Sequence, residues 1–342
     1  MLAGCGGGSG TPLSPSPVGV KAERTHVRPA YKVLYSFAGG PGDGANPYAS
    51  LINVKGTLYG TTELGGANNS YGTVFSITTS GSETVLYSFK GGYGDGEIPQ
   101  AGLNNVAGTL YGTTEGGGSL CNRGGCGTVF SITRSGTETV LHNFGPYGYG
   151  DGANPYAGLL NVKGTLYGTT WDGGAGGGTV FSITPSGTET VLHSFKGGSG
   201  DGAGPWANLI NVKGTLYGTT EQGGANSLGT LFSITPSGSE TVLHSFKGGS
   251  GDGKYPYASL INVKGTLYGT TVKGGAYCRP SSGCGTVFSI TPSGTETVLQ
   301  SFGGTGDGEN PFAELINVKG TLYGTTALGG TNGDGTVFWL SP

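Results

Sequence analysis

The chain has 342 residues, 75 of them glycine, with only 11% charged residues and a net charge of -3. That balance leaves no basic footprint and excludes nucleic acid as an expected partner, and no apolar run reaches the roughly eighteen residues of a membrane-spanning helix. The glycines recur at fixed offsets beside Val, Ile, Leu, Tyr and Phe runs, so they mark turns between strands, where positive φ costs glycine little, and not low-complexity disorder.

The chain opens on Leu2-Ala3-Gly4-Cys5, which reads as a lipobox. Cleavage before Cys5 would leave a thiol for lipidation, and the Gly, Ser and Pro-rich stretch over residues 6–17 suits a tether from a membrane surface to a domain. No charged n-region or apolar h-region precedes Leu2, so the natural start is expected upstream of Met1. Gly6 stands where familiar Gram-negative lipoproteins carry the aspartate that retains them at the inner membrane. Outer membrane or cell surface is therefore the expected location. The domain division is residues 1–30 as lipobox and tether, and 31–342 as one repeat domain.

Residues 32–37 form the first recognisable strand, a Val-Leu-x-x-Phe segment that recurs with its phenylalanine at Phe37, Phe89, Phe144, Phe195, Phe246 and Phe302. Tyr-Gly-Thr-Thr begins at Tyr59, Tyr111, Tyr167, Tyr217, Tyr268 and Tyr323. A Thr-Val/Leu-Phe strand ends at Phe75, Phe130, Phe181, Phe232, Phe288 and Phe338. A period near fifty residues is that of a propeller, solenoid or array. In the unit from Pro47 to Phe89, strands are expected over 49–52, 58–62, 73–78 and 84–89, with a turn over 53–56, a glycine-rich loop around Gly65 and Gly66, and a Ser80-Gly81 turn. Four antiparallel strands in about fifty residues match one propeller blade. The fold class is all-β, a six-bladed β-propeller. Residues 32–37 are a fourth strand without its first three, and residues 311–340 are three strands without a fourth, so pairing the two would close the ring and remove open edges.

The residues carrying Leu-Tyr-Gly-Thr-Thr, Gly-Gly, Gly-Thr-Val-Phe-Ser-Ile-Thr and Gly-Asp-Gly-x-x-Pro resemble the tandem GloVer repeat of choice-of-anchor bacterial proteins, over about Tyr31 to Leu340. The resemblance implies an extracytoplasmic, β-propeller-like protein held by one of several alternative anchors, and it supplies no catalytic residues. The chain also looks loosely like kelch through its Gly-Gly after the second strand, without the Tyr and Trp spacing of kelch.

Cys121, Cys126, Cys278 and Cys284 fall as local pairs in the two longest loops between second and third strands. Disulfides Cys121–Cys126 and Cys278–Cys284 would restrain the added length, whereas zinc fits these spacings badly without a nearby histidine. His142, His193 and His244 share one fourth-strand position in successive blades and cannot converge on one ion. Asp43, Asp95, Asp151, Asp201, Asp252 and Asp307 stand in Gly-Asp-Gly links or their counterpart, where capping of turn N–H groups outweighs calcium binding. No metal and no cofactor are expected.

Length varies in the second-to-third loops and in the links between blades, which should emerge on one face, where function is grafted. On that face the residues after the link proline, Tyr48, Gln100, Tyr156, Trp206, Tyr257 and Phe312, would ring the channel mouth, with Trp171 close by. They read either as wedges between blades or as a stacking platform for sugar rings and apolar partners. Catalytic motifs are absent. Glu63, Glu115, Asp172 and Glu221 are the only acids in a position to act, and repetition at nearly one offset suggests fold over catalysis. The expected function is a surface-anchored, non-catalytic binding module for a carbohydrate polymer or a protein. A glycan-active hydrolase or lyase and a structural surface protein are the alternatives.

Overall fold

The computed structural model describes residues 32–67, 71–121, 126–146, 150–277 and 284–342; Cys5 and Cys278 lie outside them. One compact unit runs from Leu34 to Pro342, and its described elements are all strands. Among the described residues, five four-stranded antiparallel sheets and one three-stranded sheet follow one another along the chain, each a simple meander. Sheet 1 is Ile52–Val54, Thr57–Thr62, Thr73–Thr78 and Glu83–Ser88. Sheet 6 is Ile316–Val318, Thr321–Thr326 and Thr336–Leu340. The architecture is propeller-like.

Local chemistry explains the repeated words. In the first hairpin, Lys55 and Gly56 both have positive φ, 52° and 89°, the geometry of a two-residue type I′ turn. The Asn53 side chain accepts a hydrogen bond from the Gly56 N–H at 2.9 Å and stabilises that turn. The first strand therefore forms at Ile52–Val54, later than the expected 49–52, because Asn53 belongs to the ladder and not to the loop. In Tyr-Gly-Thr-Thr, Gly60 pairs with Phe75. A Cβ on Gly60 would stand 2.8 Å from the Phe75 ring and 2.7 Å from Leu51, so only glycine admits both. The Thr62 and Thr73 hydroxyls share a hydrogen bond of 2.7 Å, which satisfies both in a buried place.

The core is a series of apolar layers between successive sheets. Between sheets 1 and 2, Val54, Tyr59, Val74 and Phe89 meet Leu103, Leu110, Phe130 and Ile132. The fourth-strand phenylalanine of one sheet meets the third-strand phenylalanine of the next edge to face, as in Phe89 with Phe130 at 5.2 Å and Phe302 with Phe338 at 5.0 Å. Offset and T-shaped aromatic contacts add to the burial that drives such layers.

The first and last segments depart from the expected ladder. Phe37 packs on Phe75 at 5.0 Å and the Tyr35 hydroxyl donates to Asp43 at 2.9 Å, the relations that Phe89 and Tyr87 hold to the following sheet. Residues 34–37 thus sit as a fourth strand sits on its neighbour. Their edge, however, forms no ladder, and sheet 6 has three strands among the described residues. A fourth strand both pairs with its own sheet and packs on the next; only the second is made here. In consequence Val337 is 80% exposed, where its counterparts Val74, Val129, Val180, Leu231 and Val287 are fully buried.

Candidate functional site

The links between sheets and the second-to-third loops meet on one side. Gly44–Ala45 of a link pairs with Leu64–Gly65 of a loop, and the same short ladder recurs at Gly96–Glu97, Gly202–Ala203, Gly253–Lys254 and Gly308–Glu309. Beside each ladder, the residue after Thr-Thr donates its backbone N–H to the link: Glu63 to Asn46, Glu115 to Ile98, Trp171 to Asn154 and Glu221 to Gly204, all at 3.0 Å. This bond brings the head of every loop alongside the residue that follows the link proline. Trp171 occupies in its loop the place that glutamate holds in three others, with Val272 and Ala327 in the last two.

Gln100, Tyr156, Trp206, Tyr257 and Phe312 line one depression of about 220 Å³, and Ser50, Gly102, Gly158, Asn208, Ser259 and Glu314 continue from it into a second of about 270 Å³. Tyr156 and Trp206 stack at 4.1 Å, Trp206 meets Tyr257 edge-on at 6.1 Å, and Tyr257 meets Phe312 at 5.9 Å. Trp171 joins through Tyr156 at 6.2 Å. Tyr48 stands apart and is 73% exposed, and Phe312 is 53% exposed. Five of the seven candidate residues line the depression, one abuts them, and Tyr48 does not join the arc.

Carboxylates pin this arc. Glu115 accepts from the Tyr156 hydroxyl at 2.9 Å and from the Gln100 amide at 2.9 Å, one bond to each oxygen. Gln100 also reaches Glu63 at 3.4 Å. Glu221 accepts from Tyr257 at 2.6 Å and from the Trp171 indole at 3.4 Å. Burial raises the Glu115 carboxyl above its ordinary range, opposed by the Tyr156 bond and aided by the Glu63 charge. Burial and then the bond to Glu115 or Glu221 raise the Tyr156 and Tyr257 phenols. With both oxygens engaged, Glu115 and Glu221 hold the Tyr156 and Tyr257 rings in place. Asp172 lies elsewhere in this scheme, capping the Gly173 N–H at 2.7 Å.

The remaining candidates have structural surroundings. Cys121 and Cys126 form a disulfide with Cα atoms 5.7 Å apart; a Cys278–Cys284 bond falls outside the described residues. The link aspartates cap turns: Asp95 accepts from the Lys90 and Gly96 N–H groups at 2.8 and 2.7 Å, as Asp201 and Asp252 do at their turns. The histidines stay on separate sheets, but each bonds the aspartate of its own link. Sequence reasoning passes over the glutamates that open the fourth strands, Glu83, Glu138, Glu189, Glu240 and Glu296, although a Glu-Thr-Val-Leu word recurs five times.

The pattern of the Gloeobacter/Verrucomicrobia repeat matches residues 19–124 and 121–338. No curated protein matches. Among solved structures, PorZ of Porphyromonas gingivalis, described as a bacterial surface component of the type-IX secretion system, is similar with a TM-score of 0.52 and 15% identity, covering 91% of this chain and 42% of PorZ. A gluconolactonase from Xanthomonas campestris matches with a TM-score of 0.45 and 14% identity, covering 90% of this chain and 88% of the other. At such identities the likeness concerns the fold alone.

Proposed function

The chain belongs to the Gloeobacter/Verrucomicrobia repeat family, and on that premise we propose that it is a surface-anchored, non-catalytic binding module for an extracellular carbohydrate polymer. The observation that carries this reading is the arc of aromatic rings, pinned by carboxylates and an amide, around the depression on the loop-bearing side. Ring faces stack on the apolar faces of sugars, and neighbouring carboxylate and amide groups bond their hydroxyls. A protein ligand is the runner-up on the same surface.

Trp206→Ala and Tyr257→Ala separate platform from packing. A platform residue loses polysaccharide binding with the melting temperature nearly kept, whereas a wedge costs about 3 kcal/mol or more. Strong destabilisation by both variants, with no polysaccharide bound by the parent, overturns the carbohydrate reading.

Anchoring through a lipid on Cys5 completes the proposal. Expressed behind a lipoprotein leader, the parent should fractionate with membranes and Cys5→Ser should not; equal fractionation of the two removes the anchor. The finer architecture proposed is six blades closed into a ring, with residues 32–37 supplying the fourth strand of sheet 6. Supporting it, Val318, Tyr323 and Val337 on sheet 6 repeat the chemistry of Val54, Tyr59 and Val74 on sheet 1. An apolar groove of about 330 Å³ lined by Phe37, Leu51, Phe75 and Ile77 offers the opposite half of such a layer.

A further inference from the structure

The glutamates that open the fourth strands place one oxygen each in the seam with the preceding sheet. Oε1 of Glu83, Glu138, Glu189, Glu240 and Glu296 is buried and has no hydrogen-bond partner. Across the seam stand a link aspartate and the fourth-strand residue that bonds it. At two seams, His193 with Asp201 and Glu240, and His244 with Asp252 and Glu296, one ligand atom from each residue lies within 4.8 Å of the other two.

The geometry points to two divalent transition-metal sites, each joining the histidine and link aspartate of one sheet to the glutamate of the next. His193 Nε2 stands 3.2 Å from Asp201 Oδ1, and His244 Nε2 stands 3.1 Å from Asp252 Oδ2. Two ligands held about 2.0–2.2 Å from one ion at tetrahedral or octahedral angles are about 3.0–3.5 Å apart, so the pair already has the spacing of a coordination edge. The unpartnered glutamate oxygen supplies the third ligand. One imidazole with two carboxylates suits zinc and its neighbours, whereas calcium takes about six to eight oxygens. Backbone N–H groups of Lys196 and Gly202, and of Lys247 and Gly253, hold the two aspartates in place, as outer partners of a metal ligand do. The His193 and Asp201 side chains remain 21% and 15% exposed, which leaves a path of entry and a position for water.

The chain contains its own comparison. At the first two seams a phenol takes the histidine's place, and Tyr35 and Tyr87 donate to Asp43 and Asp95 at 2.9 and 2.8 Å. Oε1 of Glu83 and of Glu138 lacks a hydrogen-bond partner there too, so the imidazole nitrogen is what distinguishes a metal seam. His142 bonds Asp151 at 3.1 Å, but Glu189 does not complete a cluster of the same tightness, so two ions are expected and not three.

The test is calorimetric titration of the EDTA-stripped, dialysed chain with Zn2+ near neutral pH, with melting temperature as a second readout. The parent should take up two ions and melt higher with zinc. His193→Tyr and His244→Tyr copy the Tyr87 seam and should fold; each should lose one ion, and the double variant both ions and the thermal shift. Glu240→Gln and Glu296→Gln, which keep the histidines, should weaken uptake at their own seams tenfold or more. No uptake by the parent, or the same uptake by the double histidine variant and by the glutamine variants, overturns the proposal.

Discussion

Glu138, Glu189, Glu240 and Glu296 open fourth strands with one carboxyl oxygen turned into a seam, and burial pushes each carboxyl up to about 7. Facing aspartates Asp95, Asp201 and Asp252 add to the shift at Glu138, Glu240 and Glu296, while His142 and His244 oppose it at Glu189 and Glu296. A carboxyl raised in the folded state binds its proton more tightly there than in the unfolded chain. Between the ordinary carboxylate value and about 7 the folded state therefore holds more protons, and stability falls as pH rises through that window. The metal-free chain in EDTA should melt higher at pH 5 than at pH 8, and Glu138→Gln should flatten part of that slope. A melting temperature that stays level or climbs over the same range contradicts the account.

At the scale of strands, period-2 alternation and the Tyr-Gly-Thr-Thr word make most of each sheet legible in the sequence, since the residues that pair and the residues that face inward follow from local pattern alone. Where strand bounds differ from that pattern, the cause is local. Asn53 reads as loop because asparagine favours turns, yet the type I′ turn needs only Lys55 and Gly56, and Asn53 caps it from inside the strand. That Gln100, Tyr156, Trp206, Tyr257 and Phe312 share one offset is also legible, and these five line the depression, whereas Tyr48 at the same offset does not. Their mutual arrangement is not legible: nothing in the spacing says that Tyr156 stacks on Trp206 or that Glu115 holds both Gln100 and Tyr156. Those contacts cross from one sheet to another, and a repeat read one unit at a time is blind to what lies across the seam. The fourth-strand glutamates escape notice for the same reason, because each finds its neighbours in the preceding repeat.

For the whole molecule the decisive question is whether the last face is covered. Val337 and Trp339 are 80% and 68% exposed on a sheet whose outer edge is unpaired among the described residues, an arrangement that invites aggregation unless something covers it. Closure onto residues 32–37 and the Phe37 groove would bury Val337 as Val287 is buried one sheet earlier. The substitution that reads this out is Val337→Asp. In an open arrangement an exposed aspartate changes stability little, whereas in a closed ring it strands a charge in an apolar layer and costs on the order of 3 kcal/mol. Val287→Asp sets the scale for a fully buried site. Denaturant unfolding at two protein concentrations distinguishes closure within one chain from burial against a second copy, because only the latter moves the midpoint with dilution. We expect Val337→Asp to approach the loss seen for Val287→Asp, independent of concentration. A loss within about 0.5 kcal/mol of zero would leave the ring open.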